Sequence, residues 1–180
     1  MSLINQLRNI IGTRILHQFT RSHPLQRAYT SLQDAKEIGI LYDGLLLENE
    51  ALIHKYAVEL RSQGKKVFLL GYVDLKTLPG NKKFTLQSEY YSKEKLTPFN
   101  LPDKSKIGRF LEMEFDLLLN LYVTPILPML ALSAYARAKY RVGPNMPDGT
   151  EYMDAMIDTG NNNDIRFLIK QIDFYLRTIK

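Results

Sequence analysis

The chain has 180 residues, 45% apolar and 24% charged, a composition that fits one globular domain with a substantial core and argues against two full-sized domains. It contains no cysteine, which excludes disulfides, thiolate metal sites and thiol catalysis. The net charge of +5 is unevenly spread, because residues 1–33 hold Arg8, Arg14, Arg21 and Arg27 with no acidic residue, while residues 34–180 are nearly balanced. A near-neutral body lacks the broad basic surface that phosphate backbones require, so nucleic acid is not expected as a partner. His17, His23 and His54 lie in separate contexts, without the i, i+4 spacing that places a pair on one helix face, and do not suggest a histidine metal site.

Taken in order, the chain starts with Leu3, Ile4, Leu7, Ile10, Ile11 and Ile15 at helical spacing, which predicts an amphipathic helix over about residues 2–19. Arg8 and Arg14 interrupt the apolar stretch, so it does not read as a secretory signal. The plain expectation is a helix that docks on the body or on a second copy as a homodimer; the other is peripheral contact with an anionic membrane. Residues 20–36 read as a connector. This divides the chain into residues 1–33, helix and connector, and residues 34–180, an α/β domain.

Residues 37–43, EIGILYD, form a short apolar run closed by Asp43 and Gly44, the pattern of a buried strand meeting a turn. Leu47, Ala51, Leu52, Tyr56, Val58 and Leu60 then predict a helix ending near Gly64, followed by a second buried strand over 67–73 that stops at Asp74. A strand, a helix and a strand with a tight return imply a parallel pair. Residues 75–106, with seven lysines and Pro79-Gly80, Pro98 and Pro102, read as loop, with a third, edge strand over 84–90. A short helix is expected over 105–113, carrying Ile107, Phe110 and Leu111 inward.

Leu117 to Ala136 are twenty consecutive uncharged residues, enough in a hydropathy window for a membrane span. Pro125 and Pro128 interrupt a single helix, and Phe115 to Tyr122 is short and leucine-rich, so the run reads instead as strand, loop and helix. That helix carries Met129, Leu130, Leu132, Ser133, Ala136 and Ala138, and leads to a strand over 140–143. A last strand follows over 153–158. Asn161 to Asp164 offer N-caps for a final helix bearing Ile165, Leu168, Ile169, Ile172, Tyr175, Leu176 and Ile179 at 3.6 spacing. The expected fold is one three-layer Rossmann-like α/β domain, with a mainly parallel sheet of five or six strands in order 3-2-1-4-5-6, or 2-1-3-4-5 as the alternative.

The series IGILYD, QGKKVFLLGYVD, EFDLLLNL, ALSAYARAKYRVGP and YMDAMID, with IKQIDFYL near the end, resembles over most of the chain a small family of bacterial proteins of unknown function. That resemblance implies a soluble bacterial α/β protein without an assigned activity, and the expected location is the cytoplasm. Over the central unit alone, Phe115-Asp116-Leu117 and Ala138 to Gly143 look like a segment in the N-terminal Rossmann-like domain of heptosyltransferase-type glycosyltransferases. No catalytic residue comes with it, because no motif containing one is matched.

The chain has no G-x-G-x-x-G, no phosphate-binding lysine loop, no G-x-S-x-G and no H-E-x-x-H, so no cofactor is implied by motif. Open α/β sheets bind ligands beyond the carboxyl ends of their strands, where the predicted elements place Asp43, Gly44, Asp74, Asn120, Tyr122 and Asp158. Three converging aspartates would suit a divalent cation; the preferred reading is that each caps a helix or closes a turn, and no metal is assigned. Arg141 and Lys139 are read as favouring a helix C-terminus, and His54 as a boundary residue. Two functions remain, a non-catalytic ligand- or partner-binding module and, as the alternative, a small transferase or hydrolase acting on a nucleotide or sugar.

Overall fold

The computed structural model describes residues 3–25, 27–160 and 162–178. Four helices, α1 (Leu3–Ser22), α2 (Leu47–Ser62), α3 (Leu127–Tyr135) and α4 (Ile165–Thr178), surround six strands. The strands are β1 (Glu37–Asp43), β2 (Lys66–Val73), β3 (Ser88–Ser92), β4 (Glu114–Leu121), β5 (Arg137–Pro144) and β6 (Ala155–Ile157). All pair in parallel in the order β3-β2-β1-β4-β5-β6, the Rossmann-like arrangement expected from the sequence. The crossover from β1 to β2 and the crossover from β4 to β5 run in opposite directions along the sheet. Right-handed connections then put α2 and α3 on opposite faces.

Two apolar layers result. Ile53, Ala57 and Leu60 of α2 and Leu168, Ile172 and Leu176 of α4 cover Ile38, Ile40, Leu117 and Leu119 on one face. On the other, Leu16 of α1, Met129 and Leu132 of α3, and Ile107 and Phe110 of the β3–β4 connection cover Leu41, Phe68, Leu70 and Leu118. The strands of the sheet centre are therefore apolar on both sides, which accounts for the hydropathy of the run from Leu117. Among the described residues no helix is long and apolar enough to cross a membrane.

Several boundaries differ from the expectation. Residues 84–87 are not strand, because Thr85 and Ser88 close a turn through their hydroxyls, 2.7 Å apart, and through Thr85 N–H to the Ser88 carbonyl, so β3 starts at Ser88. The helix expected over 105–113 shrinks to one 3-10 turn at Arg109–Leu111, although Ile107 and Phe110 are buried as anticipated. Ala136 and Ala138 leave the helix, since Ala136 is extended and Arg137 already pairs with Glu114 as the start of β5. Asp164 does cap α4, accepting the Arg166 N–H at 2.8 Å; Asn161 and Ile179 lie outside the described residues.

The largest departure concerns α1. It packs on α3 and on residues 97–101, but through Gly12, Leu16 and Thr20, not through its aliphatic stripe. A Cβ on Gly12 would stand 2.1 Å from the Phe99 carbonyl oxygen, so only glycine permits this approach. Asn100 donates to Asn5 at 3.0 Å and to Asn9 at 2.5 Å, and His17 Nδ1 meets Glu151 at 2.5 Å. These contacts fix the helix's rotation. Leu3, Ile4, Leu7 and Ile10 consequently face away from the body.

Candidate functional site

The carboxyl ends of β2, β3 and β4, together with the first half of α1, enclose a cleft of about 870 Å3. Its walls arise locally. β2 ends at Val73, and Asp74 turns the chain; its carboxylate accepts the Tyr72 hydroxyl at 2.6 Å and Lys93 Nζ at 2.9 Å. Lys93 begins immediately after β3, so this pair ties two neighbouring strand ends together. Residues 93–107 then fold back through Thr97 N–H to the Leu101 carbonyl and a bridge between Leu96 and Pro102, leaving Asn100 in a left-handed conformation at φ 57°. That geometry delivers Asn100 to Asn5 and Asn9.

The resulting lining has a cationic bias. Arg8, Lys93 and Lys106 reach it, against the single carboxylate of Asp74, while Pro98, Pro125, Ile126, Leu127 and Pro128 give an apolar wall. Lys106 also meets Asp103 at 3.3 Å, whereas no hydrogen bond or ion pair among the described residues engages Arg8. Burial, reinforced by Asp74, raises the Tyr72 phenol well above its usual range, so Tyr72 is a donor at every physiological pH. The N-terminus of α3 borders the cleft but is a poor anion site. Pro128 lacks an N–H, and Met129 N–H is already bonded to the Ile126 carbonyl at 3.0 Å.

Of the residues singled out in sequence, Asp74 lines this cleft and the other five do not. Asp43 accepts the Leu45 N–H at 2.8 Å and Asp158 accepts the Gly160 N–H at 2.8 Å, each closing a turn, while Gly44 donates its N–H to the Tyr72 carbonyl at 2.7 Å and extends the pairing of β1 with β2. Three strand positions separate Asp43 from Asp158, about 14 Å at the usual strand spacing. Among the described residues no three histidine, aspartate or glutamate side chains stand close enough to hold a metal ion. Asn120 and Tyr122 are buried on the α1 and α3 face. Asn120 Nδ2 makes a long 3.4 Å bond to the Val142 carbonyl and packs where Gly143 has no side chain.

A second polar cluster lies on the opposite face, and no strand-end rule pointed to it. Glu50, in the first turn of α2, accepts the Tyr90 hydroxyl at 2.5 Å, the Tyr42 hydroxyl at 3.4 Å and the Lys82 ammonium. Burial works against the Glu50 charge, but Lys82 and Tyr90 outweigh it and hold the carboxyl below its ordinary range. Burial and the bond to Glu50 push Tyr90 up to about 12. His54 stands 3.9 Å from Glu50 and is pushed down by burial, with Glu50 opposing. Every oxygen of Glu50 is engaged. The cluster clasps residues 75–87 to the sheet.

At the amino ends of β4 and β5 a second recess, about 720 Å3, is lined by Phe19, His23, Asp116, Arg137 and Lys139. Asp116 accepts the Lys36 and Glu37 N–H groups at 2.8 and 3.0 Å and Lys139 Nζ at 2.7 Å. Burial alone would raise this carboxyl; Lys139 and the two N–H groups override it and bring it down to about 2. A folded pKa below the unfolded one, about 3.9, makes the ion a source of stability that is complete above about pH 4 and lost as pH falls toward 2. Urea midpoints of the wild type and Asp116→Asn are therefore expected to differ at pH 6 and to converge by about pH 2. A gap that persists undiminished at pH 2 would contradict this assignment.

Lys139 and Arg141 divide the roles read from sequence. Lys139 pairs with Asp116, whereas Arg141 is buried and donates to the Ser133 and Ala136 carbonyls at 3.1 and 2.7 Å, capping the end of α3. No curated protein matches the chain. A family model matches residues 8–179, nearly the whole sheet and its helices, and the chain belongs to that family, the family of unknown function DUF6913.

Proposed function

We propose that this protein is a non-catalytic Rossmann-like module that binds a small ligand bearing a phosphate or carboxylate in the carboxyl-edge cleft beneath α1, and that it works in the cytoplasm. The observation that carries this reading is the cleft's charge: among the described residues Lys93 neutralises the one lining carboxylate, Asp74, and Arg8 and Lys106 remain as an excess of positive charge on the same rim. Arg8 supplies a planar donor without a competing partner, suited to a bidentate anion contact. The apolar wall from Pro125 to Pro128 suits the body of the same ligand. Asp74, held by Tyr72 and Lys93, is not disposed to act as a base, which favours binding over turnover. In this arrangement residues 1–33 serve as the roof of a site whose floor belongs to residues 34–180.

A thermal-shift and calorimetric screen with pyrophosphate, nucleotides and nucleotide sugars tests the proposal. The expected result is a saturable hit weakened about tenfold or more by Arg8→Ala and by Lys93→Met, the loss of one charge-assisted contact each. A hit indifferent to both substitutions would overturn the location. Conversion of a nucleotide sugar during the titration would favour the alternative, a small transferase or hydrolase.

A further inference from the structure

We infer that the outward face of α1 docks on an anionic membrane surface, with the helix lying in the plane of the interface. The inference rests on the seating of α1 and not on the ligand assigned to the cleft. A 20-residue helix is about 30 Å long, and this one presents Leu3, Ile4, Leu7 and Ile10 to solvent at 83, 65, 59 and 53% exposure. Scattered exposed aliphatics are ordinary on a protein surface, but a row of them along one helix is a contact face. The row is held outward by construction. Gly12 sits against the Phe99 carbonyl, Asn5 and Asn9 are bonded to Asn100, and Thr20 and His17 are bonded to Glu151, so turning the aliphatics inward would break all of these at once.

Charge identifies the occupant. α1 carries Arg8, Arg14 and Arg21 and no acidic residue, and Arg27 follows it. At 100° per residue, Arg14 and Arg21 fall within the arc spanned by Leu3, Leu7 and Ile10, and Arg8 falls beside Ile15. Arginine stems lie along apolar surface while the guanidinium reaches out to phosphate, so a mixed aliphatic and arginine face suits the headgroup boundary of an anionic bilayer. A second copy applied through the same face would oppose arginine to arginine with no acidic residue on either helix to neutralise them.

The test is co-sedimentation of the full chain with phosphatidylcholine vesicles, with and without phosphatidylglycerol, alongside the Leu7→Glu/Ile10→Glu double variant. Both positions are exposed, so the variant is expected to keep its melting temperature and circular dichroism. Wild type is expected to bind only the anionic vesicles, to release as salt approaches about 0.5 M, and to lose about tenfold or more in partitioning in the double variant. Failure to bind anionic vesicles, or binding unchanged in the double variant, would overturn the inference. So would a dimer, seen by light scattering without vesicle binding, that the double substitution dissolves; the face would then belong to a second copy.

Discussion

Arg141→Met is expected to lower stability by about 3–5 kcal/mol, the range for removing one partner of a buried ion pair. Arg141 is 6% exposed, and Asp154 beside it has a fully buried side chain. Both charges are withdrawn from water, and that burial pushes the guanidinium down and the carboxyl up. The guanidinium offsets that cost by serving the Ser133, Ala136 and Ala138 carbonyls, and Asp154 accepts the Arg141 N–H at 2.7 Å. Methionine fills part of the volume, but leaves Asp154 without its counter-charge and the end of α3 without donors. Chemical denaturation measures the loss. The double variant Arg141→Met/Asp154→Leu is expected to be more stable than Arg141→Met alone, because an apolar pair leaves no orphaned charge. A loss below about 1 kcal/mol in the single variant would show that neither the ion pair with Asp154 nor the guanidinium bonds to the end of α3 hold this corner together.

Glu50→Leu is expected to cost about 3 kcal/mol, at the lower end of the same range because Lys82 is on a surface loop and can regain water. Lys82 is 5% exposed while its partner is present. Without the carboxylate, Lys82 must leave, and the Tyr42 and Tyr90 hydroxyls lose their acceptor. Amide hydrogen exchange around Lys82 is therefore expected to accelerate before global unfolding, since the clasp is the contact there, while Arg109 holds the Thr85 and Leu86 carbonyls at the far end of the segment. Adding Lys82→Met to Glu50→Leu is expected to recover part of the loss. Unchanged exchange in Glu50→Leu would show that the segment is held by something else.

The sheet was legible because its central strands are largely apolar on both faces, and residues 38–42, 67–73 and 117–121 each form a short uncharged run, interrupted by a polar side chain only at Asn120. The lengths between them leave room for helices on some crossovers and none on others, which constrains the order. The end of α3 was not legible, since Arg141 caps it from five residues beyond Ala136, a tertiary contact with no periodic trace. The stripe on α1 announced an apolar face but not its direction. The signal that decides the direction is Gly12, and its meaning depends on Phe99, distant in sequence.

The candidate site was legible only at Asp74, which a strand-end rule locates without knowing any partner. Arg8, Asn5 and Asn9 reach the cleft across more than ninety residues of chain from Asn100, through a loop whose left-handed turn at an asparagine was not anticipated. Asn120 and Tyr122 were read as rim residues. They occupy the interior because β4 alternates toward α3 at residues 118, 120 and 122.

Backbone amide NMR during a titration with pyrophosphate or a nucleoside diphosphate shows whether this protein meets its ligand in the cleft under α1. Saturable shifts are expected at Arg8, Lys93, Thr97, Asn100 and Leu127, abolished by Arg8→Ala combined with Lys93→Met. Shifts confined to the recess around Asp116 and Lys139, or an unaltered spectrum with every anion tried, would contradict it.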